Sequence, residues 1–192
     1  IEKTPNITFE DPIIRTYGDA PFDLAPLTND SPGAISYSVL TSPTVISITG
    51  SRTTINRAGT STVSATIASS GGYLSKTVTF TIVVNKATPS LSFPDITTTY
   101  VDGGNFSLTT GRILTSNASY SLVDSLGSGI ISISGTGDST NADFLSVGTT
   151  TILVNQQENE YYSAGSTTFQ LVINPATPVS YTHLTLPTTP VV

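Results

Sequence analysis

Carboxylates and tyrosines are the residues of this chain best placed to do chemistry, because little else is available. There is no cysteine, and His183 is the single histidine. Zero cysteine removes disulfides, thiolate catalysis and zinc–cysteine sites together. Glu10-Asp11, Asp19 and Asp23, and later Asp95 and Asp102, could offer oxygen ligands to calcium. No D-x-D-x-D loop gathers them, so solvated loop carboxylates are expected. Asp138 and Asp143 flank the stretch SGTGDSTNAD, where Asx turns account for both without a ligand. Tyr161-Tyr162, following Glu158 and Glu160, could stack on a sugar face, but Tyr162 aligns with Tyr73 of an earlier stretch, which predicts a structural tyrosine. Lys76 could form an amide cross-link with an asparagine, although nothing in the sequence sets an asparagine and a catalytic acid beside it. Leu186-Pro187-Thr188-Thr189 resembles a sorting signal with Pro190 where glycine is required. Asn6, Asn105 and Asn117 each open an Asn-x-Ser/Thr triplet, which by itself is uninformative. No catalytic, cofactor-binding or metal-binding residue is therefore assigned, no cofactor is expected, and the chain is read as non-enzymatic.

The elements that would carry these residues are legible as strands. In VTFTIVV, Val78, Phe80, Ile82 and Val84 share one face while Thr77, Thr79 and Thr81 share the other. Phe169, Leu171 and Ile173 repeat the pattern, as do Val63, Ala65 and Ile67, then Ile35, Tyr37 and Val39, then Ile46 and Ile48. Each predicts an antiparallel strand with one buried and one wet side. Turn signals separate them at Ser31-Pro32-Gly33, Ser42-Pro43, Gly50-Ser51, Gly71-Gly72 and Gly103-Gly104. No stretch shows helical periodicity. Short strands at this spacing, about seven to a unit, predict an all-β fold of sandwich type.

The strands come in two sets. Residues 82–89 read IVVNKATP and 171–178 read LVINPATP, while the chain opens with IEKTP. From Pro5 to Pro89 is 84 residues, and from Pro89 to Pro178 is 89. That period is too long for a solenoid coil and suits a self-contained β domain. The blocks between agree in order: 7–24 with 91–108, 33–39 with 117–123, 45–50 with 130–135, 58–67 with 147–156 and 73–85 with 162–174. The reading is a duplication, with 1–5 closing a preceding unit, repeat 1 at 6–86, and repeat 2 with its closing linker at 87–178. The proline of the linker fixes φ and holds the preceding threonine extended, which predicts a short, stiff connection.

Composition narrows the class further. Charged residues make up 10% of the chain, against about 25% in ordinary soluble domains. Net charge is −6 with a pI near 4.4, which argues against nucleic acid and anionic membrane surfaces. No apolar run approaches the ~20 residues that span a bilayer. The absence of methionine suggests a fragment of a longer reading frame.

Tyr17-Gly18-Asp19-Ala20-Pro21-Phe22, Ile35-Ser36-Tyr37-Ser38, Ala58-Gly59-Thr60 and the closing phrase Val83–Pro89 resemble the bacterial Ig-like repeats, of MBG-like or Big type, of large surface and secreted proteins. The resemblance covers 6–178. Repeat 2 departs from it at Tyr100-Val101-Asp102 and at Pro175, where the linker lysine would stand. It implies two tandem immunoglobulin-like antiparallel β-sandwich domains on the extracellular side or surface of a bacterial cell, and it supplies no catalytic residues. The expected role is a structural spacer in an adhesin or stalk, working as a monomer whose partners are neighbouring repeats in its own chain. The alternative is a carbohydrate- or protein-binding Ig-like module accessory to an adhesin or secreted enzyme, contacting its ligand through loops at one end of a sandwich or an exposed sheet face. In the spacer reading, a glycan or protein ligand would be met through other domains. The tail, 179–192, stands apart. Val179–Thr188 resembles a translated sequencing adapter from transposon-based library preparation, in a frame whose leading CT completes the Pro178 codon and whose closing GTG TAG gives Val192 and a stop. It is expected to be non-native, like a tag, and His183 lies within it.

Overall fold

The computed structural model describes residues 1–108, 118–124 and 126–178. The tail 179–192, with His183 and the sorting-signal-like stretch, and Asn117 lie outside these residues.

Repeat 1 supplies nine strands: β1 (Ile7–Thr8), β2 (Ile13–Thr16), β3 (Phe22–Asp23), β4 (Thr28–Asn29), β5 (Ile35–Val39), β6 (Ile46–Thr49), β7 (Arg52–Ile55), β8 (Gly59–Ile67) and β9 (Lys76–Asn85). Repeat 2 supplies β10 (Ile96–Thr99), β11 (Asn105–Ser107), β12 (Ala118–Leu122), β13 (Ile131–Ser134), β14 (Asn141–Phe144), β15 (Gly148–Gln156) and β16 (Gly165–Asn174). The helical elements among the described residues are two single 3-10 turns, Gly127–Gly129 and Gly137–Ser139. The protein is all-β.

Each strand set forms the same pair of sheets. A four-stranded sheet runs β2-β9-β8-β5 in the first and β10-β16-β15-β12 in the second. A three-stranded sheet runs β3-β7-β6 in the first and β11-β14-β13 in the second. The opening strand of each larger sheet lies parallel to its closing strand, Ile13 opposite Ile82 and Ile96 opposite Leu171. β8 and β9 pair antiparallel over nine positions, from Gly59 opposite Val84 to Ile67 opposite Lys76.

The two sheets of a set share one core. In the first, Ile13, Val63, Ala65, Phe80, Ile82 and Val84 of the larger sheet and Ile46 of the smaller fall in a single buried cluster, with Phe22, Ile48 and Ile55 packed against it. The period-2 alternation explains this, because the apolar side of each strand has one place to go. In the second set Ile131, Ala142, Phe144, Ile152, Val154, Phe169, Leu171 and Ile173 are buried. These are immunoglobulin-like β-sandwiches. Thr77 and Thr79 are exposed, as their alternation required.

The ladders correct the repeat alignment by one residue. Thr16 lies opposite Asn85 and Thr99 opposite Asn174, so Tyr17 is the counterpart of Tyr100, whereas an ungapped match sets it on Val101. Pro12 is the extra residue of the first set, and the turn before Asn105 restores the frame, because Phe22 opposite Thr53 matches Phe106 opposite Ala142. Grouped by compactness, the first unit is Ile1–Ser92 with Asn155–Thr167, and the bulk of the second is 93–108, Ser119–Val154 and 168–178.

Candidate functional site

The carboxylates considered as calcium ligands have other duties. Asp11 Oδ1 accepts the Thr81 N–H at 2.9 Å, and Asp95 Oδ1 accepts the Gln170 N–H at 2.8 Å. Both bond the long closing strand at equivalent positions in mid-strand, and a charged acceptor shortens and strengthens such a bond. Asp19 Oδ2 takes the Thr16 N–H at 2.8 Å, closing the turn after β2. Asp23 pairs with Arg52 at 3.2 Å on an exposed face. Glu10 and Asp102 are exposed. Asp143 sits in β14 between Asn105 and Ser132. Among the described residues no group of three or more acidic or histidine side chains is disposed to hold a metal. Lys76 Nζ donates to the Pro5 carbonyl at 2.9 Å. Asn6 bonds through its backbone to Asp30, and Asn105 lies in β11.

The site that does assemble lies in the first unit, around the turn joining β15 to β16. Asn159 builds the turn. Its Oδ1 accepts the N–H groups of Tyr161 and Tyr162 at 2.8 and 2.7 Å, and its own N–H reaches the Tyr162 carbonyl at 3.0 Å. An Asx turn of this kind fixes the neighbouring side chains without any core behind them. Glu160 then meets Arg57 at 2.8 Å, Glu158 meets Lys86 at 2.9 Å, and the Glu160 carbonyl accepts the Ala58 N–H at 3.0 Å. Arg57 is steadied from behind by Thr44 Oγ1 at 2.6 Å. Tyr161 and Tyr162 both pack on Tyr17, with ring centroids 4.9 and 5.6 Å apart. An open cleft of about 520 Å³ beside them is lined by Gly59, Val84, Lys86, Glu158 and Asn159 among others.

Electrostatics follow from these contacts. Hydrogen bonds from Arg57 and Tyr161 hold the Glu160 carboxyl below the ordinary carboxylate range, while the bond to Glu160 raises the Tyr161 hydroxyl. A depressed carboxylate stabilises the fold above its unfolded value and loses that contribution as pH falls through its folded value. Glu160→Gln should therefore melt below the native protein at neutral pH, with the gap closing as pH drops into and below the carboxylate range. A gap that stays constant with pH would show that the charge contributes nothing.

The linker joins the site through the backbone. Ala87 N–H donates to the Tyr161 carbonyl and Ser163 N–H to the Ala87 carbonyl, each at 2.9 Å. The opening of the chain repeats the device: Lys3 N–H donates to Gly72 at 2.9 Å, and Leu74 N–H to Lys3 at 2.8 Å. The sequence singled out Tyr161, Tyr162, Glu158 and Glu160 but not their partners Tyr17, Arg57 and Lys86. The parallel between KTP at 3–5 and ATP at 87–89 was the available signal for the backbone pairing.

Fold and site together define a protein of immunoglobulin-like sandwiches with a bonded linker. No protein-family model matches the chain, and no curated protein matches it. Among solved structures it is similar to surface layer protein SbsC, domains 1–6, at 13% identity and TM-score 0.38, over 94% of this chain and 29% of that one. It is also similar to Drosophila N-cadherin EC1-3, at 13% identity and TM-score 0.36, over 91% of this chain and 69% of that one. Human protocadherin-24 EC1-2 follows at 12% identity and TM-score 0.34, over 90% and 99%. The chain thus spans 29% of the surface-layer structure it matches. Likeness at this level speaks to no ligand, partner or activity. No helix among the described residues is long and apolar enough to cross a membrane, which says nothing of strands.

Proposed function

We propose that the chain is a non-catalytic spacer, built from repeats of bacterial Ig-like type at 6–86 and 87–178, in a large extracellular or cell-surface protein. On this reading the residues 179–192 are foreign to it. The observation that carries the proposal is the bonded linker. Lys3 makes two backbone hydrogen bonds to the Gly72–Leu74 turn of repeat 1, and Ala87 makes two to the Tyr161–Ser163 turn of repeat 2. Linker residues held to a turn in this way are less free than those of a flexible tether, which is what a spacer requires. The tyrosines are compatible with the same role, since Tyr161 and Tyr162 both pack on Tyr17 at ring-centroid distances of 4.9 and 5.6 Å.

Small-angle scattering tests it. The full chain should give a distance distribution that ends at a defined maximum dimension and a Kratky curve that falls back at high angle. Ala87→Pro, which removes the N–H that Tyr161 accepts, should smear the first and raise the second. A native protein that already shows the signature of a flexible tether, unchanged by Ala87→Pro, would refute the spacer.

A further inference from the structure

The turn Asn159–Ser163 has a twin in Ser70–Leu74. Ser70 N–H reaches the Tyr73 carbonyl at 3.2 Å, as Asn159 reaches Tyr162, and Lys3 bridges Tyr73 as Ala87 bridges Tyr162. The face that receives the Asn159 turn also has a twin. In the first unit the N–H groups of Asn56 and Arg57 both donate to Val45, and Tyr17 N–H donates to Asn85. In the second unit Leu145 and Ser146 donate to Ile130, and Tyr100 N–H donates to Asn174. Val147 is therefore the counterpart of Ala58, and Val101 of Gly18.

Among the described residues one face is occupied and the other is not. Ala58 gives its N–H to Glu160, but the N–H of Val147 has no acceptor among the described residues. Around it Val101, Leu145 and Val147 are 61%, 50% and 47% exposed, in place of Gly18, Asn56 and Ala58. Ala176, the counterpart of Ala87, is likewise exposed with no backbone partner among these residues.

Residue types at the twin positions change together. The occupied face carries Arg57 and Lys86 and meets Glu160 and Glu158. The open face has Ser146 and Pro175 in those places, and the twin turn has Gly71 and Ser69. A charged face holds a charged turn, and the uncharged face fits the uncharged turn.

We propose that the second-unit face formed by Tyr100, Val101, Leu145 and Val147 docks the Ser70–Leu74 turn of a second copy of this chain. The Gly71 carbonyl accepts the Val147 N–H, as Glu160 does for Ala58. Ala176 takes the place of Lys3 against Tyr73, so the two backbone bonds that Lys3 gives up are both remade. The contact joins unlike surfaces, and each added copy still offers a free face and a free turn, so association is head to tail and open-ended. The protein is then a monomer when dilute and associates on concentration, whether or not its role is that of a spacer.

Sedimentation velocity on the full chain, from micromolar to millimolar at physiological salt, tests this. The native protein should associate with rising concentration. Val147→Asp should weaken association about tenfold or more by placing an unpaired charge in the contact. Ser69→Glu with Pro175→Lys, both at exposed positions, recreates the Glu158–Lys86 pair and should tighten association ~2–5-fold at low salt, the gain vanishing at high salt. Retained melting temperature checks that each variant is folded. A native protein that stays monomeric throughout, a folded Val147→Asp variant that associates like the native chain, or a double variant with unchanged affinity would each overturn the proposal.

Discussion

Phe80→Ala should lower the unfolding free energy of the first sandwich by about 3–5 kcal/mol, the range for deleting a well-packed aromatic. Phe80 is 2% exposed, stands opposite Val63 in the ladder, and stacks on Phe9 with centroids 4.6 Å apart. Phe9 in turn meets Tyr37 edge-on at 5.9 Å. Truncation therefore removes the ring's own burial and leaves Phe9 and Tyr37 facing a void, which a close-packed core closes only in part. Against a total stability of ~5–15 kcal/mol such a loss is a large fraction. Urea unfolding followed by tyrosine fluorescence would measure it. A loss under ~1 kcal/mol would mean that the aromatic cluster relaxes around the gap.

Gly59→Ala and Gly148→Ala should each cost about 2–6 kcal/mol, from backbone strain of ~1–3 kcal/mol and overpacking of similar size. Their φ values are +145° and +149°. A Cβ on Gly59 would stand 2.7 Å from Val45 Cγ2, and one on Gly148 would stand 2.9 Å from Ile130 Cδ1. These positions start the long strand two residues after the pair that doubles up on one carbonyl, and each lies against the residue just before a strand of the smaller sheet, Val45 before β6 and Ile130 before β13. Gly18→Ala is the control. Its φ is +92°, but no atom lies within 4 Å of the added carbon, so the backbone term alone remains. Thermal melts should place the Gly18→Ala variant clearly above the other two. Equal losses at all three sites would remove the packing contribution from the account.

Much of this architecture could be read directly from residue order. Val63, Ala65 and Ile67, then Phe80, Ile82 and Val84, then Phe169, Leu171 and Ile173 are buried as their alternation required. Register was harder. String matching compares residue types, whereas a ladder is set by which side of the strand faces the core, and an extra residue such as Pro12 moves the match by one without disturbing the pattern. The same slip runs through the SYS blocks, because Leu40 and Val123 donate to Thr62 and Thr151 in equivalent places and so set Tyr37 on Tyr120. Gln156 shows another limit, since this buried amide occupies the place of Ile67. The carboxylates were less legible still. Asp11 and Asp95 serve strands 70 and 75 residues away, and Glu160 meets an arginine 103 residues earlier. No local pattern encodes such partners; only the closed sheets bring them together.

The parallel pairing of β2 with β9 has a mechanical consequence. In this sheet the first strand and the last lie side by side and run the same way, with Ile13, Ile14, Arg15 and Thr16 opposite Ile82, Val83, Val84 and Asn85. Tension applied to the two ends of the sandwich drags these strands past each other along their length. Their slanted hydrogen bonds are then loaded together in shear, rather than opened one at a time from an end. The same order recurs where β10 meets β16. Resistance to stretching is thus written into strand order, before any single bond is made strong.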